Sequence, residues 1–476
     1  MMQLALITAA VLLFITSIAA CWRKSSNSGQ MIDSLHGAQL PKGSWSIPWI
    51  GESFTLYNQG PYQFYSQHIA RYGRTFRTHL MGIPTIVTST PEAAKFVLAT
   101  RQKLFLVFLP PSISRLLSVY PASQDAMKET AIKTIRDSLH SELVRNKVAK
   151  VDRIARWVLS SWDKQPCVIT YQETKKFAFH VALDAITGMA PSPETMKMMD
   201  DFSYINKGMG TSMQFNIPGT SYHMALKKRQ QVLESFSCMV KKRRSEKSNE
   251  KCTLDFLMET EDENGEKLPD DQLQSQLLGL TFGGFDTSAA FFMWLLKLLG
   301  ENQQILQQVK AEQDTIRMGK ISPEDPLSWT DIVNMPYSST VIQETLRLAS
   351  VVPFLTRQAT EDVIYEGVRI PKGWLVQVCL QNFHVSPEYH KEPLKFDPSR
   401  FQAPVKPAGF MPFGNGAKMC PGRELVKIEA LVFLHYLVTT YSWENIGSKT
   451  RMNYWPSPTV KGGLPIKVSK LREDAA

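Results

Sequence analysis

A chain of 476 residues, 43% hydrophobic and 21% charged, is long enough to bury a large core and enclose a sizeable ligand, and its composition excludes collagen-like and low-complexity architectures. The net charge of +10 is spread widely, with no basic run interleaved with aromatics and no zinc-finger or helix-turn-helix spacing. Nucleic acid is therefore not an expected partner, and an anionic membrane surface or an acidic protein accounts better for the excess. The six cysteines, at positions 21, 167, 238, 252, 379 and 420, contain no Cys-x-x-Cys pair. They suggest neither a zinc site nor a disulfide framework, and they fit a catalytic region in a reducing compartment.

In chain order, the first predicted element is "LALITAAVLLFITSIAACW", residues 4–22, which is 19 residues without a charge, followed at once by Arg23 and Lys24. That length crosses a hydrocarbon core as a helix. Positive charge on its C-terminal side alone puts the amino terminus outside the cytosol and the rest of the chain in it. A cleaved secretory peptide or a bacterial lipoprotein (Ile18-Ala19-Ala20-Cys21) would carry a basic n-region, which is absent. The expectation is one uncleaved anchor over 4–22, a linker and proline-rich hinge over 23–53, and a single large domain over 54–476. In the hinge, "LPKGSWSIPWIGES" (40–53) is too proline-broken for a helix and too apolar to float free, so it is predicted to lie against the body.

"TFRTHLMGIPTIVTST" (75–90) reads as a hairpin turning at Gly-Ile-Pro. "PEAAKFVLAT" (91–100) opens a helix with proline in the first turn. Apolar residues at three- and four-residue spacing predict helices over 125–163, 221–246, 270–300 and 329–349. Short strands follow within 351–380, and "RELVKIEALVFLHYLVTT" (423–440) gives a last amphipathic helix. The fold class expected is mainly α with a minor β-sheet region.

One cysteine stands apart. In "FMPFGNGAKMCPGRE" (410–424), Gly414, Gly416 and Gly422 permit turns that residues with a Cβ resist, and they let main-chain N–H groups approach Cys420. Donors around the sulfur and the start of the following helix would lower its pKa, which suits a metal-ligating or nucleophilic cysteine. Three more stretches carry chemistry-bearing residues: "GGFDTS" (283–288) with two mid-helix glycines, "ETLR" with Glu344 and Arg347 three apart on one helix face, and "FDPSRF" (396–401) with Arg400.

"FGNGAKMCPG" fits the pattern F-x-x-G-x-[basic]-x-C-x-G, and with the other three stretches in order the chain resembles the cytochrome P-450 superfamily of heme-thiolate monooxygenases. The resemblance implies a P-450 fold as one large domain. It implies heme b with Cys420 as axial iron ligand, Phe413 packed beneath the heme beside Gly414 and Gly422, and Arg357 and Lys418 as propionate partners. Lys418 stands where the family usually has Arg or His. Thr287 and Asp286 would manage protons for dioxygen, the co-substrate, while Glu344, Arg347 and Arg400 would form a buried scaffold network. Electrons would come from NADPH through an acidic, membrane-bound cytochrome reductase, and the chain would sit as a monomer in the endoplasmic reticulum membrane with its catalytic domain facing the cytosol.

One departure stands out. The family's propionate-touching helix pair should fall near Lys128 and Ile132, which do not match, so Lys133 or Arg136 is the expected substitute. In substrate terms, "TFRTHLMGIPTIVTSTPEAAKFVL", "NIPGTSYHMALKKR" and "YEGVRIPKGW" resemble the plant branch that oxidises isoprenoid hormones and terpenoids, and most of all the abscisic acid 8′-hydroxylases. "GGFDTS" departs from that subgroup's Ala-Ala-Arg-Asp-Thr-Thr form and leaves triterpenoid, brassinosteroid and diterpenoid oxidases as alternatives. A heme-thiolate isomerase or dehydratase needing no reductase is a further alternative, and a non-enzymatic heme or ligand binder the last. The pocket expected is apolar, drawing on Phe105, Phe108, Leu109, Phe282, Phe285, Val352, Phe354 and Leu355, and on "TVKGGLP" (459–465).

Overall fold

The β-forming sequence near residues 75–107 and 354–379 gathers in one of two compact units into which the contacts divide the chain: Met1–Phe108, Pro353–Tyr389 and Gly414–Lys418. The second unit comprises Leu109–Val352, His390–Phe413 and Met419–Ala476. The structure, a computed structural model, describes residues 38–44, 51–118, 126–211, 214–246, 250–262, 264–322, 324–403, 409–446 and 451–471. The anchor expected over 4–22 and much of the 23–53 hinge lie outside the described residues, among which no helix is long and apolar enough to cross a membrane.

In the first unit, α1 (Ser53–Gln59) and α2 (Pro61–Tyr72) are separated by Gly60, whose φ of 80° breaks the helix before Pro61 starts the next. A five-stranded sheet follows, in the order β1 (Thr75–Leu80), β2 (Ile83–Thr88), β5 (Leu375–Cys379), β4 (Phe354–Ala359), β3 (Phe105–Val107). The hairpin turns at Met81-Gly82, with φ of 55° and 74°, a two-residue turn whose twist matches the strands. The sequence reading placed that turn a residue late: Ile83 and Pro84 already belong to β2, and Pro84 precedes the parallel pairing of Thr85–Thr88 with β5. The described part of the hinge is fastened to this sheet. Gly43 bridges Arg77, and a Cβ on Gly51 (φ 57°) would stand 2.2 Å from the His79 carbonyl oxygen. The Glu52 carboxylate accepts from Ser44 and Thr78 and pairs with His68 at 3.1 Å.

The second unit is helical: α3 (Pro111–Leu117), α4 (Ala126–Ser138), α5 (Val148–Leu159), α6 (Thr170–Thr187), α7 (Pro193–Met209), α8 (Ser221–Ser245), α9 (Asp270–Glu301), α10 (Gln303–Met318), α11 (Pro336–Ala349) and α12 (Arg423–Thr440). The predicted helix over 125–163 is broken after Ser138 and again before Val148, and the one over 329–349 is broken where Pro336 opens α11. At 32 residues, α9 is the longest, and its apolar half meets α6 and α12 through Phe292, Phe177 and Phe433, with ring centroids 5.0–5.3 Å apart. A three-stranded sheet of Val168–Ile169, Pro465–Lys470 and Tyr441–Asn445 completes this unit.

Candidate active site

The cysteine loop closes through the Cys420 amide, which donates to the Phe413 carbonyl at 3.0 Å. Within it Gly414 (φ 74°) and Gly416 (φ 77°) take the left-handed backbone that side chains resist, and a Cβ on Gly416 would fall 2.1 Å from the Leu98 carbonyl oxygen. The Ala417 amide donates to Gln102 Oε1 at 3.0 Å, so the 414–418 stretch is held against residues 98–102 of its own unit. Gly422 does not share that role. Its φ of −81° is open to any residue, and a Cβ there meets nothing within 4 Å.

Cys420 is exposed to solvent, yet its sulfur is set deep enough that burial pushes the thiol pKa up, opposed by the Gly422 N–H and the Arg423 charge. The sequence argument expected a lowered pKa. Desolvation outweighs the donors here, and the carboxyl of Glu429 nearby adds to the upward shift. Glu429 went unnoticed in the sequence. It lies on α12, is held by the Ser288 side chain of α9, has no partner for Oε2, and burial pushes it up to about 8. The one signal was a glutamate in the otherwise apolar run "IEALVF".

The long helix α9 is buried on most sides, but Gln276, Gly279, Leu280, Gly283 and Thr287 fall on one face that stays accessible. Thr287 Oγ1 donates to the Gly283 carbonyl at 2.7 Å. Asp286 points elsewhere. Its Oδ1 accepts from Tyr171 Oη at 2.8 Å and from Asn206, and it pairs with Lys175 at 3.1 Å, inside a cluster formed by α6, α7 and α9. Burial, with the Asp286 charge beside it, pushes the Tyr171 pKa up, so the phenol keeps its proton.

Phe285, expected to line the pocket, is fully buried against Phe179 and Phe202, each 5.7 Å away by ring centroids. Two residues along a helix is about 200°, which turns it from the face that Gly283 occupies. Phe282 is buried against Phe285. In the first unit Phe105 is buried beside Phe96, whereas Phe108, Phe354 and Leu355 are half-buried. In the second unit Leu109 is half-buried and Val352 exposed.

Glu344 and Arg347 are fully buried and doubly bonded, from Nε to Oε2 and Nη2 to Oε1, both at 2.7 Å. Arg347 also donates to the carbonyls of Pro393 (2.6 Å) and Lys395 (3.3 Å). Arg400 Nε reaches Glu344 Oε1 at 3.3 Å while its other nitrogens bind the Lys391 and Glu392 carbonyls. Arg357, in β4, is also buried, but its Nη1 donates to the Thr356 carbonyl at 3.0 Å, and it has no carboxylate partner among the described residues. Burial lowers its pKa to about 10. Lys418 is half-buried. Lys133 and Arg136 are exposed, on the side of α4 away from buried Ala131 and Ile135, so α4 directs neither inward.

Within the second unit, a soft cysteine sulfur and an open helix face carrying one hydroxyl suit a metal-bearing group; within the first, Arg357 is a buried guanidinium with no carboxylate partner among the described residues. Comparison with known proteins agrees. The cytochrome P450 family model matches residues 41–468. Abscisic acid 8′-hydroxylase 4 of Arabidopsis thaliana is 38% identical over 429 residues, covering 90% of this chain and 92% of that protein. Abscisic acid 8′-hydroxylase 1 of Oryza sativa subsp. japonica is 36% identical over 437 residues, with 91% of each covered. Among solved structures, retinoic acid-bound cyanobacterial CYP120A1 matches with a TM-score of 0.82 at 26% identity, covering 91% of this chain and 100% of that one.

Proposed function

The chain belongs to the cytochrome P450 family, and from that premise we propose that it hydroxylates an unactivated C–H bond of a small isoprenoid, with abscisic acid the first candidate. As a monooxygenase of this family it uses heme b, dioxygen, and electrons that reach it from NADPH through a reductase. Heme bound by the chain supplies dioxygen activation and the insertion of one oxygen atom into the C–H bond.

The chain's own residues do the rest. Cys420 would hold the heme iron through its sulfur, and the Gly422 N–H would steady the charge there. Arg357, in want of an anion, is the natural partner of a heme carboxylate, with Lys418 as a second cation. Thr287 presents a hydroxyl on the accessible face of α9, where it could turn from the Gly283 carbonyl to hold a proton for the reaction. Asp286 is the adjacent acid, and for it to feed Thr287 its carboxylate has to leave Lys175. The observation carrying the reading is the accessible pair Cys420 and Thr287, each on a motif that the relatives' family shares.

Membrane placement rests on the uncharged run 4–22 followed by Arg23 and Lys24, and on Phe215 and Ile217, exposed between α7 and α8. We assign the chain to the endoplasmic reticulum membrane as a monomer on the cytosolic side. Exposed Lys133 and Arg136 suit an acidic reductase better than a buried propionate.

The test is a spectrum of the reduced, carbon monoxide-bound protein, followed by product analysis with reductase and NADPH. A thiolate-type Soret band that Cys420→Ser abolishes supports the ligand, and its survival overturns it. One hydroxylated product from abscisic acid supports the substrate. Turnover only of a triterpenoid, brassinosteroid or diterpenoid moves the protein to a neighbouring branch.

A further inference from the structure

Tyr171, in the first turn of α6, is engaged through its backbone, its hydroxyl and its ring at once. Its amide donates to the Gly463 carbonyl at 2.9 Å, and beside it Thr170 Oγ1 donates to the Gly463 and Leu464 carbonyls at 2.9 and 2.7 Å. First-turn N–H groups find no acceptor within their own helix, and here the 463–464 turn supplies one. Gly463 (φ 80°) permits the approach, since a Cβ there would stand 2.7 Å from Ile169 Cγ2. The start of α6 is therefore fixed by its backbone, independently of what its side chains meet on α9.

The Tyr171 hydroxyl donates to Asp286 Oδ1 at 2.8 Å, and its ring lies against the Lys175 ammonium, 4.4 Å from nitrogen to centroid. Lys175 follows one turn later on α6, pairs with the same Oδ1 at 3.1 Å, and has the Phe285 ring 5.8 Å away. Asn206 also donates to Oδ1. All three contacts are made to one carboxylate oxygen, which leaves the other to turn. A cation resting on two aromatic faces keeps part of its support when its anion moves. Without those faces, swinging Asp286 away would strand a buried charge.

We propose that Tyr171 is the positioning residue of Asp286: its phenol is the pivot that keeps Oδ1 while Oδ2 turns towards Thr287, and its ring holds Lys175 meanwhile. The inference rests on the reading in which Asp286 and Thr287 move protons, and adds to it the group that governs the acid's turn. Phenylalanine at this position removes the pivot and keeps the ring, whereas leucine removes both.

The experiment compares Tyr171→Phe, Tyr171→Leu and Asp286→Asn with the parent holoenzyme. With reductase, NADPH oxidation is followed in water and in deuterium oxide, with and without abscisic acid. On the resting proteins, heme content and the acetylation of Lys175 by an N-hydroxysuccinimide ester are measured. Tyr171→Phe is expected to oxidise NADPH about tenfold more slowly, with a larger solvent isotope effect, while keeping its heme and its KM. Tyr171→Leu is expected to be acetylated at Lys175 about fivefold faster than Tyr171→Phe. An unaltered rate and isotope effect in Tyr171→Phe overturn the inference, as does a slower rate that comes with lost heme or with the parent's isotope effect. Equal acetylation of the Phe and Leu proteins overturns the part given to the ring. If the Leu protein does not fold, Tyr171→Phe decides alone. If Asp286→Asn is slow and Tyr171→Phe is not, the inference fails and the proton reading stands. If neither is slow, the proton reading fails and takes the inference with it. If abscisic acid gives no product but NADPH oxidation without it separates Tyr171→Phe from the parent, the substrate reading fails and the inference stands.

Discussion

Arg347 and Arg357 stand ten positions apart in sequence and are both buried, yet their surroundings are opposite. Arg347 meets both oxygens of Glu344 and two backbone carbonyls, and Glu344 in turn accepts from Arg400 and from the Asp397 amide at 2.9 Å. Every charge there is answered from within the chain. Arg357 has a neighbouring carbonyl and no carboxylate among the described residues, and burial weakens its hold on its proton. Removing one partner of the saturated network would strand a buried charge, whereas the Arg357 charge is already without a carboxylate, the arrangement expected of a cation that awaits a ligand's anion.

Four substitutions break or sharpen that contrast. Arg347→Ala is expected to have the largest effect. It strands the Glu344 carboxylate without its main partner and costs about 3–5 kcal/mol, read as loss of cooperative melting and of heme incorporation. Next comes Lys175→Met in the intermediate case. Asp286 keeps Tyr171 and Asn206 but loses its one cation, so denaturant melts should show a loss of about 1–3 kcal/mol. An unchanged midpoint would mean that the pair is spent on function alone.

Arg357→Gln should behave in the opposite sense to Arg347→Ala. Without heme the variant melts no lower than the parent, because an unanswered buried charge has been removed. With heme, transfer to apomyoglobin is about tenfold faster, the value of one charge-assisted hydrogen bond. If the heme-free protein is destabilised instead, Arg357 is scaffold after all.

The smallest effect is at the hinge. Its neighbours hold the Glu52 pKa down at about 2 against an ordinary 4.5, so its contribution is present above pH 4.5 and is lost as pH falls towards 2. The Glu52 carboxylate raises the pKa of His68, so that contribution is full below the ordinary value of 6.5 and fades as pH rises through the raised one. The pair is therefore strongest between about pH 4.5 and 6.5. Glu52→Gln should flatten the acid limb of the stability profile by about 1 kcal/mol, a modest figure because both groups are partly solvent-screened. An unaltered profile would show that Gly43 and Gly51 alone hold the hinge.

Much of this was legible in the residues. The helices placed by apolar spacing formed, with breaks at Ser138 and Pro336 from a helix end and a proline that periodicity alone averages over, but α6, α7 and α10 were not placed by it. The pocket was less legible. Phe282 and Phe285 are apolar and near Thr287 in sequence, but the aromatic side chains of α6 and α7 claim that side of the helix. Lys133 and Arg136 lie on the exposed side of α4, which charge and spacing alone did not reveal. Glu429 was hidden because a glutamate in an apolar helix looks like a surface residue until the chain buries it beside Ser288.

What the sequence determined by itself was the family chemistry: a single cysteine in a glycine loop, a threonine after two mid-helix glycines, and a Glu-x-x-Arg pair, because each is set by short-range spacing along one turn or loop. What only the tertiary structure decided was direction and partnership. Whether Gly283 or Gly284 is the packing glycine depends on where Ala182 arrives, and Arg347 is distinguished from Arg357 by carbonyls and carboxylates brought in from distant stretches of chain. Those are long-range facts, settled by which faces the folded chain covers and which it leaves open.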